Sequence, residues 1–187
     1  MQRILRKGVF AVTFDTVFAD VVTACREQRR RGEGTWITPE MVSAYIRLHQ
    51  LGLAHSVEAW REGRLVGGLY GVSLGRCFFG ESMFSRVANA SKVALVTLVG
   101  KLAVRGFQVI DCQVYTEHLR RLGAEPIPRE SFLALLDRTL AAPTFRGSWR
   151  FLNEGSEVTP GREKAPSTVL LASRRRLNTP YFVQNLQ

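Results

Sequence analysis

The amino-acid sequence predicts an α/β (α+β) domain with a mixed sheet flanked by helices. Segments with apolar residues at helical spacing alternate with short segments of strand character. The 187 residues, of which 45% are hydrophobic, suffice to bury a core without disulfides or a structural metal. We therefore expect one folded domain whose elements carry local sequence signals.

Two helices follow a first strand, which is predicted over residues 10–14. Asp15 or Thr16 can cap the first helix, because a short polar side chain accepts a hydrogen bond from an exposed backbone N–H. The second helix is marked by Thr38 as N-cap and by Pro39 at the first helical position. Apolar residues at helical spacing indicate one buried face on each helix.

Three strands joined by short polar turns come next and indicate an antiparallel meander. The remaining signals predict another helix, a strand and two further helices. In order, these elements cover residues 55–61, 64–72 and 76–80, then about 91–106, 107–114, about 116–122 and 129–140.

The region after Pro143 has no regular pattern, and Gly, Ser, Pro, Thr and Arg dominate it. A segment of this composition buries too little apolar surface to offset the entropy of ordering its chain. We therefore predict a folded domain over residues 1–142 and a mostly disordered C-terminal tail over 143–187.

The net charge of the chain indicates which class of partner it can bind. A formal net charge of +10 favours polyanions, above all nucleic acid, although a solvated basic surface explains the same value. Cys25, Cys77 and Cys112 lack the close spacing of zinc ligands or of a redox pair, so we expect reduced structural thiols and no metal. Neither a membrane-spanning stretch nor a secretory signal is recognisable, which predicts a cytoplasmic protein with no membrane partner.

Four groups of motifs carry a resemblance to a known family. They are Gly-Thr-Trp-Ile-Thr at 34–38, His-Ser-Val-Glu at 55–58 with Gly-Gly-Leu-Tyr-Gly at 67–71, Phe-Gly-Glu-Ser-Met-Phe-Ser-Arg at 79–86 with Asn-Ala-Ser-Lys at 89–92, and Asp-Cys-Gln at 111–113. In this order they resemble the leucyl/phenylalanyl-tRNA–protein transferase family over residues 3–140. The resemblance implies a GNAT-like acyltransferase fold, and we interpret the chain as an N-terminally shortened member.

The resemblance also implies an activity. Members of the family transfer Leu or Phe, and Met less well, from aminoacyl-tRNA to proteins that begin with Lys or Arg, which marks these proteins for degradation in the N-degron pathway. We accordingly expect a monomer without a cofactor, with aminoacyl-tRNA and such acceptor proteins as partners.

Two alternatives to this activity stay open. One is a non-catalytic tRNA-binding remnant that keeps the basic surface. The other is an acetyl-CoA-dependent N-acetyltransferase of the same fold type, although no basic, glycine-rich turn precedes the helix near residue 91.

Asp111 and Gln113 are the candidate catalytic residues. They lie two positions apart on a predicted strand and are expected to share a face, whereas Cys112 points the other way. The resemblance implies that Gln113 accepts a hydrogen bond from the attacking amine, while Asp111 orients or polarises it. The residues by themselves leave open that Asp111 only anchors a neighbouring loop.

By resemblance, the aminoacyl group binds in an apolar slot next to a carboxylate. The residues concerned are Leu69, Phe78, Glu81, Leu95, Leu98, Leu102 and Ile110. Glu81 is the candidate for holding the amino group, with a structural role as the alternative. The apolar members are equally expected of an ordinary core.

The candidate tRNA contacts are one aromatic residue and two basic groups. Trp36 is the candidate for stacking on the terminal adenine, with a position at the core edge as the alternative. Contacts to the acceptor-stem backbone are assigned to Arg3, Arg6, Lys7, Arg29, Arg30 and Arg31. Ordinary solvated charge explains each of these basic residues as well.

Overall fold

The computed structural model describes residues 8–28, 35–153 and 170–174. The strands in these ranges are β1 (Ala11–Phe14), β2 (Ala54–Arg61), β3 (Arg64–Leu74), β4 (Cys77–Ser85), β5 (Val109–Val114), β6 (Glu125–Ile127) and β7 (Leu170–Arg174). The helices are α1 (Phe18–Glu27), α2 (Pro39–Gln50), α3 (Ala90–Ala103), α4 (Glu117–Arg120) and α5 (Arg129–Leu140), followed by a 3₁₀ helix (Trp149–Asn153).

The strands form one mixed sheet in the order β1-β2-β3-β4-β5-β7-β6. Strands β1 to β4 pair antiparallel, and the pairs β4–β5, β5–β7 and β6–β7 are parallel. The predicted meander and the predicted fold class, a mixed sheet with helices, are both confirmed. The largest difference in the bounds of a predicted strand is at β4, which continues from the predicted end at Gly80 to Ser85. The short strand β6 was not predicted.

Helices cover both faces of the sheet, so strand residues alternate between two cores. Leu69 lies in the core beneath α3, and its neighbour Tyr70 lies in the core beneath α1 and α2. We call these sides the α3 face and the α1–α2 face. Across the described ranges, none of the helices combines the length and apolar character needed to cross a membrane.

The two predicted helix starts have different outcomes. Thr38 caps α2 as expected, since its side chain accepts a hydrogen bond from the N–H of Met41. The predicted cap on α1 is wrong, because Val17 precedes that helix and makes no side-chain capping bond. Asp15 is instead buried, with a positive φ of 54°, and accepts the N–H of Ser56.

The predicted disordered tail is wrong for residues 143–153 and 170–174. Trp149 is only 2% exposed, and its side chain stacks on His55 at a centroid distance of 3.8 Å. The backbone N–H of Trp149 donates to Oδ2 of Asp15 at 2.6 Å. Strand β7 inserts between β5 and β6. Tertiary contacts therefore order segments whose composition alone indicates disorder. The rest of the predicted tail, 154–169 and 175–187, lies outside the described residues.

Candidate functional site at the parting of β4 and β5

The candidate site begins where the parallel strands β4 and β5 part. The two strands pair only from Cys77 to Phe79 on β4, opposite Val109 to Asp111 on β5. Both continue beyond this point without further pairing to each other. In the β3–β4 register, Tyr70 pairs with Ser82 and Gly71 with Gly80, which leaves Glu81 as the extra residue of a β-bulge. The bulge thus sets a carboxylate at the mouth of the opening.

Hydrogen bonds from two different elements hold the Glu81 carboxylate. The Tyr45 hydroxyl of α2 donates to Oε2 at 2.7 Å, and the Gln113 side chain donates from β5. Burial raises the pKa of Glu81, the two hydrogen bonds oppose that rise, and the charge of nearby Asp111 adds to it. A half-buried carboxylate with two fixed donors is suited to receive a further donor such as an ammonium group.

Asp111 and Gln113 are brought together by a break in the strand. The buried Asp111 accepts the backbone N–H of Gln113 on Oδ1 at 2.8 Å. Gln113 has a positive φ of 60°, and the β5–β7 register is irregular between Asp111 and Val114. The predicted alternation of side chains along the strand therefore does not explain why Asp111 and Gln113 lie close together, because the left-handed backbone of Gln113 interrupts that alternation. The Gln113 amide instead reaches across the opening and donates from Nε2 to the Gly80 carbonyl oxygen at 3.1 Å.

Cys112 behaves as the sequence predicts and packs against the core of the α3 face. Burial raises the pKa of Cys112 to about 12, and it raises the pKa of Cys25 to the same value. Both thiols stay protonated at neutral pH, so neither supplies a thiolate nucleophile.

Trp36 and Tyr45 extend the site along the α1–α2 face. Their rings meet edge to face at a centroid distance of 6.5 Å, and Trp36 is half-buried. The structure thus brings four predicted site residues into one region: Trp36, Glu81, Asp111 and Gln113. Tyr45 was missed as a site residue, because its position on the inward side of a helix is that of an ordinary core residue.

The comparison with protein families decides the identity of the chain. Residues 1–137 match the family model described as leucyl/phenylalanyl-tRNA protein transferase. The chain belongs to the leucyl/phenylalanyl-tRNA–protein transferase family.

Bacterial relatives in this family are similar over most of the chain. The leucyl/phenylalanyl-tRNA–protein transferase of Syntrophus aciditrophicus is 57% identical over 164 residues, covering 87% of this chain and 69% of the relative. The one of Syntrophobacter fumaroxidans is 59% identical over 150 residues, covering 80% of this chain and 64% of the relative. The chain therefore spans about two thirds of the length of these two relatives.

Two solved acetyltransferase structures also resemble the chain, each with a TM-score of 0.42. An aminoglycoside acetyltransferase from an uncultured soil metagenomic sample is 18% identical, covering 69% of this chain and 89% of its own. The ribosomal-protein-alanine N-acetyltransferase of Brucella melitensis biovar Abortus 2308 is 16% identical, covering 74% of this chain and 96% of its own.

The apolar residues assigned by resemblance to the aminoacyl slot of this transferase-family chain lie on the other face of the sheet from Tyr45. All six are buried in the core of the α3 face: Leu69, Phe78, Leu95, Leu98, Leu102 and Ile110. Their packing is what an ordinary core requires, and it leaves Glu81 as the member of the predicted set that stands at the opening between the strands.

A surface cleft of about 400 Å³ lies between the first turn of α3 and α4. It is lined by Lys92, Glu117, His118, Arg121 and Leu122. Glu117 already pairs with Arg120 and Arg121, and its hydrogen bond with Arg120 is the main cause that lowers its pKa to about 2. One carboxylate therefore faces two arginines and Lys92, so this part of the surface keeps a net positive charge.

The basic residues predicted to contact tRNA fall outside the described ranges. These are Arg3, Arg6 and Lys7 before residue 8, and Arg29, Arg30 and Arg31 between residues 28 and 35.

A second polar cluster lies away from the strand opening, around Asp15. Ligand atoms of Asp15, His49 and His55 lie within 4.8 Å of one another, a grouping of residue types that can hold a metal ion. However, the Asp15 carboxylate already accepts bonds from His55 Nδ1 and from the N–H groups of Ser56 and Trp149. His49 Nδ1 lies 2.8 Å from the Ala54 carbonyl oxygen, so it must carry the proton. These bonds make the cluster a structural tie between β2, α2 and the 3₁₀ helix.

Proposed function

We propose that the chain transfers Leu or Phe, and Met less well, from aminoacyl-tRNA to the N-terminal Lys or Arg of acceptor proteins. Such transfer would feed the N-degron degradation pathway. The observation that carries the proposal is the meeting of Glu81 and Gln113 across the opening between β4 and β5, in a chain that belongs to the transferase family.

The reaction is the aminolysis of an activated ester and needs no covalent intermediate. The acceptor's α-amino nitrogen attacks the ester carbonyl carbon, an amide bond forms, and the bond to the ribose oxygen breaks. The proton lost from the amine ends on that leaving oxygen. A free α-amino group has a pKa of about 7.7 to 8.0, so a useful neutral fraction exists and the enzyme mainly has to position the reactants.

Each polar residue of the opening has a part in this positioning. Glu81 pairs with the amino group of the aminoacyl residue, since it is the carboxylate at the mouth of the opening. Oε1 of Gln113 accepts no hydrogen bond from the described residues and is left for an N–H of the attacking amine. Asp111 fixes Gln113 by accepting its backbone N–H, so its part is that of a positioning residue.

The tRNA partner is proposed from the aromatic and basic groups. Trp36, half-buried beside Tyr45, stacks on the terminal adenine, a contact worth about 1 to 3 kcal/mol per base. Arg3, Arg6, Lys7 and the run Arg29, Arg30 and Arg31 contact the phosphate backbone, in keeping with the net charge of +10. The aminoacyl side chain enters next to the buried apolar residues of β3, β4, α3 and β5. The chain acts as a cytoplasmic monomer.

A transfer assay tests this proposal. Purified protein is given tRNA charged with radiolabelled Phe and a peptide that begins with Arg, and label in the peptide is counted. We expect label with an Arg- or Lys-initiated peptide, and none with the same peptide after N-terminal acetylation. Binding of tRNA without any transfer would identify a non-catalytic tRNA-binding protein instead. Acetylation of the peptide from acetyl-CoA, with no transfer from tRNA, would identify an acetyltransferase.

A further inference from the structure

The Tyr70 hydroxyl is fully buried and lacks a hydrogen-bond partner among the described residues. Buried polar side chains are nearly always paired, so an unpaired hydroxyl in a native core needs an explanation. Two other buried side-chain atoms in the described ranges share this condition, Nε2 of His55 and Oγ of Ser73. Tyr70 is the one of the three that lies beside the opening between β4 and β5.

The position of Tyr70 connects it to Glu81 by two routes. Its main chain pairs with Ser82, immediately after the bulged Glu81. Its ring packs edge to face on Tyr45 at a centroid distance of 4.9 Å, and the Tyr45 hydroxyl is the donor to Glu81. The ring of Tyr70 therefore helps to fix the direction from which Tyr45 approaches the carboxylate.

The protonation state of the Tyr70 phenol is set mainly by its burial. Burial is the main cause that raises its pKa, and the negative charge of Glu81 raises it further. The phenol consequently stays protonated at neutral pH and keeps both a donor and an acceptor site.

We propose that Tyr70 is a positioning residue for the aminoacyl amino group, because its hydroxyl becomes the partner of the Tyr45 hydroxyl when Glu81 turns to that amino group. The inference rests on the proposed function. When the Glu81 carboxylate rotates toward a bound ammonium group, its hydrogen bond from the Tyr45 hydroxyl lengthens. That hydroxyl would then be buried without a hydrogen-bond partner. The ring of Tyr70 packs on the ring of Tyr45, so its unpaired hydroxyl can pair with the released Tyr45 hydroxyl. Binding then satisfies both hydroxyls together.

The test uses two probes that differ only at the amino group. One is phenylalanyl-adenosine with an amide in place of the ester, and the other is its N-acetylated form. Their dissociation constants are measured by calorimetry for the wild type, for Tyr70→Phe and for Ser73→Ala. Ser73 is the matched control, because its buried hydroxyl is also unpaired but its side chain lies on the α3 face, opposite Tyr70.

We expect Tyr70→Phe to weaken the amino probe about 5-fold, the factor that one hydrogen bond of ordinary strength contributes. The acetylated probe should bind both forms within about 2-fold of one another, since it lacks the charge that turns Glu81. The Tm of Tyr70→Phe should not fall, because the substitution removes an unpaired group and keeps the ring. Ser73→Ala should bind both probes as the wild type does. In a Glu81→Gln background, Tyr70→Phe should have no further effect on the amino probe.

Four results would overturn the inference. Equal affinity of Tyr70→Phe and wild type for the amino probe would make the hydroxyl a structural defect only. An equal loss for both probes, or a loss that persists fully in the Glu81→Gln background, would show that Tyr70 does not act through Glu81. If the wild type binds neither probe, the proposed function itself fails and this inference fails with it, an outcome distinct from the other three.

Discussion

The Tyr45 hydroxyl donates a 2.7 Å hydrogen bond to Oε2 of Glu81. This bond ties helix α2 to the bulge of β4, at the place where β4 and β5 stop pairing. It sets the carboxylate from one side while the Gln113 amide sets it from the other. A helix, a bulge and the end of a strand thus meet at the Glu81 carboxylate. The fold therefore sets the orientation of this carboxylate, together with the side-chain rotamer.

Glu58 should make the stability of the protein depend on pH. The carboxyl is fully buried, and burial raises its pKa above the ordinary 4.5 despite hydrogen bonds from Ser56, Thr13 and Thr16. With a raised pKa in the folded state, the stability contribution of this group is complete below the unfolded-state pKa and is lost as pH rises through the folded-state pKa. Glu58→Gln cannot ionise, so it should lose less stability than the wild type between about pH 4 and about pH 7.

Urea unfolding across this pH range measures the effect of Glu58→Gln. The control is Glu62→Gln in the β2–β3 turn, whose side chain is 81% exposed and should keep the wild-type pH profile. Parallel profiles for wild type and Glu58→Gln would show that the buried carboxyl contributes nothing to the pH dependence.

Gly71 should not tolerate a side chain. A Cβ at this position would stand 2.2 Å from the Phe79 carbonyl oxygen and 2.6 Å from the Phe78 ring. Gly71→Ala should therefore lower the free energy of unfolding by roughly 1 to 3 kcal/mol. Gly100 on α3 is the counterpart, since a Cβ there meets nothing within 4 Å, and Gly100→Ala should raise that free energy by about 0.5 to 1 kcal/mol. Denaturant unfolding measures the free energy of unfolding of both variants. Changes of the same sign in the two variants would be inconsistent with this packing.

Trp149 should anchor the segment that follows α5. The ring is buried against His55 and Phe78, so Trp149→Ala should cost about 3 to 5 kcal/mol of unfolding free energy. Phe151 in the same 3₁₀ helix is 47% exposed and contacts Arg105 through its ring face, so Phe151→Ala should cost less than about 1 kcal/mol. Thermal and urea unfolding distinguish the two variants. Equal, small losses would mean that residues 149–153 do not belong to the folded core.

The sequence predicts elements well where their signals are local. Thr38 and Pro39 mark the start of α2, and the last helix was predicted with the bounds that the structure has, Arg129–Leu140. What failed depends on distant partners. The burial of Trp149 rests on a hydrogen bond to Asp15, 134 positions earlier in the chain, and composition carries no sign of such a contact.

The candidate site was predictable in its residue types and not in its geometry. The motif resemblance named Glu81 and Gln113, but neither the bulge at Glu81 nor the left-handed backbone of Gln113 follows from strand periodicity. Tyr45 carries no signal of its own, because only the fold brings a helix residue within reach of β4.

Substitution of Gln113 tests whether the acceptor amine is held for transfer at the opening between β4 and β5. Gln113→Asn keeps an amide and tolerates the positive φ of 60°, but it withdraws the carbonyl oxygen by about 1.5 Å. Cys112→Ala is the matched control one residue away, because the Cys112 side chain packs against the core of the α3 face. The measurement is the single-turnover rate of Phe transfer from Phe-tRNA to an Arg-initiated peptide, together with the affinity for Phe-tRNA.

Gln113→Asn should slow transfer about 10²-fold, the effect of a displacement of this size on a positioned reactant, while the affinity for Phe-tRNA should change less than about 3-fold. Cys112→Ala should transfer at close to the wild-type rate. Wild-type turnover by Gln113→Asn, or an equal loss in Cys112→Ala, would contradict the assignment of the amine to Gln113.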